Sequence, residues 1–167
     1  MIDEKLLISL LDNSNINYLI HKHPPLFSVS DSKKLRGKIA GAHTKNLFLK
    51  NKKNEFYLIS CLENTKVDLK SLKSLMNFGN LSFANEKYLL EMLNLKPGSV
   101  TPFGLLNDIQ RKTKFFLDIK LNDFESFNFH PLINTATINI KKNEFYNFLK
   151  INNIEFNFIN FEKYEYC

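Results

Sequence analysis

Two apolar runs on either side of residues 51–54 constrain the fold of this chain more than any other feature. Asn46–Leu49 and Phe56–Cys61 have the composition of β-strands, and the turn-prone Asn51-Lys52-Lys53-Asn54 lies between them. Two strand-like runs joined by so short a turn predict a β-hairpin. The sheet of this protein is therefore expected to contain antiparallel pairing.

The remaining elements are predicted by spacing and by capping residues. Helices are expected at Ile2–Leu11, at Ser30–Leu35, after the caps Asp68 and Asn85, and around Phe145–Leu149, and strands at Tyr18–His21, Phe115–Ile119, Thr135–Ile140 and Glu155–Ile159. Helices and strands are interspersed without strict alternation, which favours a mixed sheet with flanking helices in the α/β or α+β class. Neither glycine fingerprint of a Rossmann or P-loop fold is present. A length of 167 residues fits one domain.

Charge and cysteine content narrow the class of protein only partly. The net charge of +6 raises the local concentration of polyanions, among which RNA, membranes and acidic proteins all qualify. The two cysteines, Cys61 in an apolar run and Cys167 at the last position, form no disulfide framework, which suits a reducing cytosol. No apolar run has the length of a spanning helix, and no basic stretch precedes one at the N-terminus. A cytoplasmic protein is therefore expected.

The first segment that could carry chemistry is Gly41-Ala42-His43-Thr44-Lys45-Asn46, which leads into a predicted strand. Small residues let the backbone approach a ligand closely, and Lys45 could then meet a phosphate as a point charge. A surface loop with a solvated lysine is the alternative. Nearby Lys33, Lys34, Arg36 and Lys38 form a basic cluster that is either a solvated face or a contact for an RNA backbone.

The second segment is Lys96-Pro97-Gly98-Ser99-Val100-Thr101-Pro102-Phe103-Gly104. Its two prolines and two glycines fix an unusual backbone path. Such a loop can present N–H groups to an oxyanion or a water molecule. It can equally serve as a rigid connection between two elements.

The third segment is Phe129-His130-Pro131, followed by Asn134-Thr135-Ala136-Thr137. A residue before proline is held in an extended conformation, so the direction of the His130 ring is restricted. The ring could bind substrate or satisfy a buried carbonyl. The other three histidines are not at zinc-ligand spacing with His130 or with the cysteines, so we predict no metal site and no cofactor.

A protein nucleophile is not evident in the sequence. No Ser/His/Asp order is present, and Ser99 lacks the Gly-x-Ser-x-Gly context of a nucleophile elbow. The acidic residues are scattered and suggest no pair for general acid/base catalysis.

Five segments taken together resemble the YbaK/ProX superfamily of prolyl-tRNA editing domains, and within it the free-standing Ala-tRNA(Pro) deacylases. The matching stretches are 23–29 (His-Pro-Pro-Leu-Phe-Ser-Val), 41–49 (Gly-Ala-His-Thr-Lys-Asn-Leu-Phe-Leu), 81–84 (Leu-Ser-Phe-Ala), 97–105 with Asn107-Asp108, and 129–132 with 134–137. Each stretch alone is weak, but their order and spacing hold across roughly residues 20 to 160.

This resemblance implies a fold and a domain organisation. The fold would be a mixed, barrel-like sheet with flanking helices, forming one editing domain over residues 1–167. Residues 162–167 extend past the resemblance and are expected to be a flexible tail.

The resemblance also implies site residues. Lys45 matches the family's central lysine, which anchors the tRNA 3′ end through a phosphate. The catalytic loop would be Gly98, Ser99, Val100, Thr101 and Pro102, whose backbone holds the substrate carbonyl and the attacking water. Asn46 and His130 would line or support the aminoacyl pocket, and Phe27 and Val29 would belong to its apolar wall.

The implied reaction is hydrolysis of the ester in mischarged tRNA(Pro), with alanine as the expected amino acid and assistance from the substrate's own ribose hydroxyl. Prolyl-tRNA synthetase is an expected partner, because it can admit the smaller alanine. Two alternatives remain: a deacylase for Cys-, Ser- or Thr-tRNA, and a non-catalytic module that binds tRNA or a synthetase.

Overall fold

The structure is a computed structural model that describes residues 1–26, 28, 30, 33–34, 38–76 and 79–167. The predicted helix at Ser30–Leu35 falls partly outside these residues. The described helices are α1 (Glu4–Asn13), α2 (Leu69–Met76), α3 (Glu86–Leu93) and α4 (Lys142–Ile151), with 3₁₀ helices at Pro102–Asn107 and Ile119–Asp123. The strands are β1 (Tyr18–Lys22), β2 (Ala42–Lys50), β3 (Phe56–Leu62), β4 (Ser82–Phe83), β5 (Thr113–Asp118), β6 (Ser126–Phe129), β7 (Ala136–Lys141), β8 (Phe156–Asn160) and β9 (Glu165–Tyr166).

The strands form one mixed sheet in the order β1-β7-β6-β2-β3-β5-β8-β9, with β4 paired to β2. The pairs β2·β6, β3·β5 and β5·β8 are parallel, and the other pairs are antiparallel. The predicted α/β class with a mixed sheet and flanking helices is confirmed. The sheet is open rather than closed, because β1 and β9 lie at its two ends.

The predicted hairpin of β2 and β3 is confirmed and forms the centre of the sheet. Its register runs from Thr44 opposite Leu62 to Lys50 opposite Phe56. The connecting turn is closed by the Asn54 N–H, which donates to the Asn51 carbonyl over 3.2 Å. Asn54 adopts a φ of 58°, a left-handed conformation that asparagine tolerates better than most residues.

Apolar cores cover both faces of this hairpin, because successive side chains of a strand point to opposite faces. One core contains Phe48 and Leu58 together with residues of α1, α3 and α4. The other contains Leu49 and Ile59 together with Leu72 of α2. A strand buried on both faces has little freedom to slip in register, since a shift by one residue would move every side chain to the wrong core.

The predicted caps Asp68 and Asn85 are confirmed. The Asp68 carboxylate accepts from the Ser71 N–H, and the Asn85 side chain accepts from the Tyr88 N–H over 3.1 Å. Each cap satisfies a backbone donor that the first turn of a helix would otherwise leave unpaired.

The 3₁₀ helix at Pro102–Asn107 was not predicted, and it anchors the loop that precedes it. Phe103 is fully buried and makes edge-to-face contacts with Phe129, Phe145 and Phe148. Pro102 begins the helix, where the missing N–H of proline costs nothing. The loop therefore enters the core at a fixed point.

The C-terminal segment 162–167, expected to be a flexible tail, contains the short strand β9. Glu165 and Tyr166 pair antiparallel with β8, and the Tyr164 hydroxyl accepts from the Asp68 N–H over 2.8 Å. These contacts give the segment a defined place at one edge of the sheet, and its mobility in solution stays a prediction. Across the described part of the chain, none of the helices combines the length and apolar character needed to cross a bilayer.

Gly41 precedes β2 and is predicted to be intolerant of a side chain. Its φ is +88°, and a Cβ atom there would lie 2.2 Å from the Ser126 Oγ and 2.6 Å from the Ser126 carbonyl oxygen. Gly41→Ala should lower the free energy of unfolding by about 2–4 kcal/mol, from left-handed strain plus overpacking. Gly79→Ala is the matched control, because Gly79 has a φ of +73° and, apart from its neighbours in sequence, no atom of the described chain lies within 4 Å of its Cβ position. This control should cost only about 1–2 kcal/mol. Equal losses for the two variants in urea unfolding would show that the contact with Ser126 is unimportant.

Candidate functional site

Asn46 on β2 lies where two of the predicted functional segments meet. Its side-chain Nδ2 donates to the Val100 carbonyl over 3.0 Å, and its Oδ1 accepts from the Ser60 hydroxyl over 2.5 Å. The first contact joins β2 to the loop of residues 98–102. The second joins Asn46 to its directly opposite residue on β3.

The loop of residues 98–102 is held from both sides. The Ser99 N–H and the Ser99 hydroxyl both donate to the Lys96 carbonyl, in a turn that Gly98 permits with a φ of +86°. On the other side, the Thr101 carbonyl accepts from the Gly104 N–H over 3.1 Å. Ser99 and Thr101 are buried, whereas Gly98 and Val100 are half-buried.

This loop also contains polar groups whose hydrogen-bonding capacity is unused. The N–H groups of Val100 and Thr101 donate to no acceptor in the described ranges of the chain. The Thr101 hydroxyl is buried and likewise has no partner there. Unpaired donors on a fixed loop are suited to bind an oxyanion, because they need no reorganisation when charge develops.

His130 is half-buried at the end of β6, and its ring orientation is set by one hydrogen bond. Its Nδ1 lies 2.9 Å from the Ala136 carbonyl oxygen. A carbonyl can only accept, so Nδ1 carries a proton and Nε2 of the neutral ring is an acceptor. Within the described residues Nε2 has no partner. The ring therefore satisfies a backbone carbonyl and also keeps one nitrogen available.

Burial lowers the pKa of His130 below its ordinary value, because it disfavours the charged imidazolium. The hydrogen bond to Ala136 opposes this effect, and nearby His23 adds to it. The two rings meet edge to face with their centroids 6.0 Å apart. His130 is thus kept neutral near pH 7 and can act as an acceptor.

Asn46 and His130 line the same small cavity. Its volume is about 30 Å³. The other lining residues are His43, Thr44, Asn128, Phe129 and Thr137. Among the described lining residues, no side chain is an acid, a lysine or an arginine, so this lining is polar and carries no permanent charge.

Lys45 is placed differently from its neighbour Asn46. It lies opposite Cys61 on β3, on the face of the second core, and it is half-buried. Its Nζ donates to the Thr65 carbonyl, in a segment that folds back over β2. The structure therefore brings Lys45 close to residues 63–65, and not to the cavity of Asn46 and His130.

A larger cleft of about 330 Å³ lies beside that segment. It is lined by Gly41, His43, Leu62, Glu63, Asn64, Thr65, Lys120 and Phe124. Asn64 accepts from the Lys33 Nζ over 2.8 Å, so part of the predicted basic cluster lies at this cleft. His43 lines both the cleft and the small cavity, and it stands between them.

Other candidate residues from the sequence either cannot be placed or are not part of the site. Phe27, Val29 and Arg36 lie outside the described residues. Cys61 is a buried core residue, and burial raises the pKa of its thiol to about 12. It is therefore a protonated thiol and a poor nucleophile at neutral pH. Within the described ranges, His, Cys, Asp and Glu side chains form no group of three that could hold a metal ion.

Sequence reasoning missed Ser60, Asn128 and Thr44 as residues of the site. Ser60 is the only non-aromatic hydroxyl in the otherwise apolar run Phe56–Leu62, and that isolated polar group was the available signal. The side-chain amide of Asn128 donates to the Ala40 and Ala42 carbonyls. The backbone carbonyl of Asn128 accepts from the Thr44 hydroxyl. These contacts cross between β6 and β2, which no local pattern reveals.

Comparison with known proteins gives consistent results. The family model described as "Aminoacyl-tRNA editing domain" matches residues 23–148. Prolyl-tRNA synthetase associated domain-containing protein 1 of Xenopus laevis is 36% identical over 149 residues, covering 86% of this chain and 88% of that protein. Prolyl-tRNA editing protein ProX of Acetoanaerobium sticklandii is 32% identical over 146 residues, covering 87% and 89%.

The fold is also found among solved structures. One of them, described as a "putative trans-editing enzyme for prolyl tRNA synthetase", superposes with a TM-score of 0.66 at 16% identity. The alignment covers 93% of this chain and 96% of that one. At this level of identity the likeness concerns the fold.

The lowered pKa of His130 predicts a pH-dependent stability. The unfolded chain binds a proton at His130 with a pKa near 6.5, whereas the folded chain resists protonation at this pH. The contribution is therefore fully present above about pH 6.5 and is lost as pH falls through the lowered pKa of the folded state. When the pH is lowered from about 8 to about 5, the free energy of unfolding of His130→Gln should fall by less than that of the wild type. An NMR titration midpoint for His130 at or above about 6.5 would contradict this account.

Proposed function

The chain belongs to the aminoacyl-tRNA editing domain family, and from that premise we propose that it hydrolyses mischarged tRNA(Pro), with Ala-tRNA(Pro) as its preferred substrate. Editing removes a wrong amino acid by cleaving the ester that joins it to the terminal ribose. The names of the ProX protein and of the Xenopus relative support prolyl-tRNA as the tRNA concerned. The observation that carries the proposal is the small neutral cavity of Asn46 and His130 beside a loop with unpaired N–H donors.

In the proposed mechanism, water attacks the ester carbonyl, and the loop of residues 98–102 stabilises the oxyanion. The unpaired N–H of the half-buried Val100 is the proposed donor for this charge. A single donor of this kind contributes roughly 3 kcal/mol to transition-state stabilisation. Among the described residues, the cavity offers no carboxylate as a general base. The substrate's own ribose hydroxyl relays the proton instead: it accepts the proton of the attacking water and gives its own proton to the adjacent ribose oxygen, which leaves as the ester C–O bond breaks. Asn46 and the acceptor Nε2 of His130 surround the aminoacyl group.

Lys45 is proposed to hold the RNA end rather than the amino acid. Its ammonium donates one hydrogen to the Thr65 carbonyl, which leaves two for a phosphate. Thr65 also lines the larger cleft, near Lys120 and the Lys33–Asn64 contact. Glu63 adds one carboxylate to this cleft, and Lys120 is paired with Glu162. The charge of Lys45 and Lys33 is therefore what favours a polyanion such as the tRNA acceptor end.

The size of the small cavity supports alanine as the preferred amino acid. About 30 Å³ exceeds the roughly 10–15 Å³ that one water molecule needs, so the cavity has the scale of a small group such as a methyl. The ring of proline adds methylenes, which we expect this cavity to accommodate less well. Such a pocket would complement a synthetase that discriminates poorly against smaller amino acids, by the logic of a double sieve.

The proposal extends to domain organisation and partners. Residues 1–167 act as one carboxylic ester hydrolase domain of the editing type, in the cytoplasm where tRNA is charged. Prolyl-tRNA synthetase is the proposed protein partner, which the printed names of the relatives support. The synthetase would supply mischarged tRNA, and hydrolysis needs no chemical group from the synthetase.

A deacylation panel tests the proposed substrate. Purified protein should release alanine from Ala-tRNA(Pro) and should spare Pro-tRNA(Pro), because we expect the cavity to accommodate the larger ring less well. Cys-tRNA(Pro) and Ser-tRNA(Pro) should react more slowly than Ala-tRNA(Pro). The measurement is release of labelled amino acid against a buffer blank. Faster release from the Cys or Ser substrate would move the preference to that amino acid, and no release from any substrate would refute the enzyme.

Lys45→Ala tests the proposed phosphate contact. Loss of a charged hydrogen bond costs about 1.5–3 kcal/mol, so kcat/KM should fall roughly 10- to 100-fold. Lys50→Ala is the matched control, because Lys50 is a half-buried lysine at the C-terminal end of β2. Its ammonium donates to Asn51 and Asn54 and lies 5.3 Å from the centroid of the Tyr88 ring, far along the strand from Thr65. This control should retain activity. If the two variants behave alike with unchanged unfolding curves, Lys45 has no special role.

A further inference from the structure

The hydrogen bonds around Asn46 have only one possible direction. The Val100 carbonyl can accept but cannot donate, so the Asn46 amide must turn its Nδ2 toward it. The Oδ1 then faces Ser60, and the Ser60 hydroxyl must be the donor of the 2.5 Å contact. The chain of bonds therefore runs from Ser60 through Asn46 to Val100, and this result follows from the chemistry of the groups rather than from the placement of hydrogens.

Ser60 is well placed to fix Asn46. It lies on β3 in the middle of the sheet, between Asn46 on β2 and Leu117 on β5, and it is 0% exposed. A buried hydroxyl without a partner is costly, so the bond to Asn46 is strongly favoured over an unpaired state.

Fixing the Val100 carbonyl also fixes a neighbouring donor. The peptide unit between Val100 and Thr101 is planar and trans, so the Thr101 N–H points opposite to the Val100 carbonyl. The direction of this unpaired N–H is thus set by the Asn46 amide. The turn at Gly98 and the buried Phe103 restrain the two ends of the loop, but they lie outside this peptide unit.

We propose that Ser60 is a positioning residue for hydrolysis: by donating to Asn46 it fixes the amide that holds the Val100 carbonyl, and so keeps the loop of residues 98–102 in one position beside the cavity. Ser60 touches neither substrate nor water, and it acts only through Asn46. The inference rests on the proposed function for its catalytic consequence, whereas the positioning of the loop is a property of the folded protein alone.

Ser60→Ala tests the catalytic consequence. Without its donor the Asn46 amide can rotate, and kcat for Ala-tRNA(Pro) should fall roughly tenfold, the equivalent of one misdirected hydrogen bond. KM should change little, because the RNA contacts are elsewhere. Thr113→Val is the matched control: it removes a buried hydroxyl that has no partner in the described chain, at the other end of the same strand pairing. It should leave kcat unchanged. A kcat for Ser60→Ala equal to that of the control would overturn the proposal.

A double-mutant cycle separates positioning from a general loss of packing. If Ser60 acts through Asn46, Ser60→Ala should reduce kcat no further in an Asn46→Ala background. Ser60→Thr keeps the hydroxyl and should recover most of kcat. If the two alanine substitutions instead reduce kcat by factors that multiply, the residues act independently. This result would also overturn the proposal.

Amide exchange measured by NMR tests the positioning without any activity. In the wild type, the Asn46 side-chain protons should exchange slowly, and in Ser60→Ala they should exchange faster with a shifted Thr101 amide resonance. Should Ser60→Ala fail to fold, rapid exchange of the Asn46 side chain in the wild type would by itself refute the inference. An inactive wild type with a protected Asn46 amide would refute the proposed function and leave the positioning by Ser60 standing.

Discussion

The antiparallel pairing of β2 with β3 is the constraint on which the rest of the structure depends. Apolar cores bury the two strands from both faces, so their register is fixed to one residue. This register places Lys45 opposite Cys61 and Asn46 opposite Ser60. Adjacent residues of one strand thereby serve two separate spaces, the cleft at residues 63–65 and the cavity of His130.

Much of the fold could be predicted from the sequence, because the signals were local. Apolar runs on either side of a short turn predicted the hairpin, and Asp68 and Asn85 marked the starts of two helices. The strand β6 was missed because four residues carry too little periodicity, and the pairing of β6 with β2 joins segments far apart in the chain. The open edge at β1 and β9 likewise depends on pairings that no local pattern encodes.

The candidate site was predicted from resemblance more than from physics, and its internal geometry was not predicted. Asn46, His130 and the loop of residues 98–102 were named from the sequence, and the structure brings them together. A solvated Lys45 was the alternative from the sequence, but Lys45 is half-buried, and its ammonium donates a hydrogen bond to the Thr65 carbonyl. Ser60 could not be recognised, since its importance depends on a partner across the hairpin and on a carbonyl in a distant loop.

The alternation of β2 has a consequence for how such a protein can diversify. Thr44 and Asn46 face the small cavity, Lys45 faces away from it, and His43 lines both the cavity and the cleft. In the proposed function the two faces correspond to the choice of amino acid and to the binding of RNA. Substitutions at Asn46 and at Lys45 therefore act on separate traits within a single strand, whereas a substitution at His43 would affect both. A lineage could retune which error it corrects while it inherits its hold on the nucleic acid unchanged.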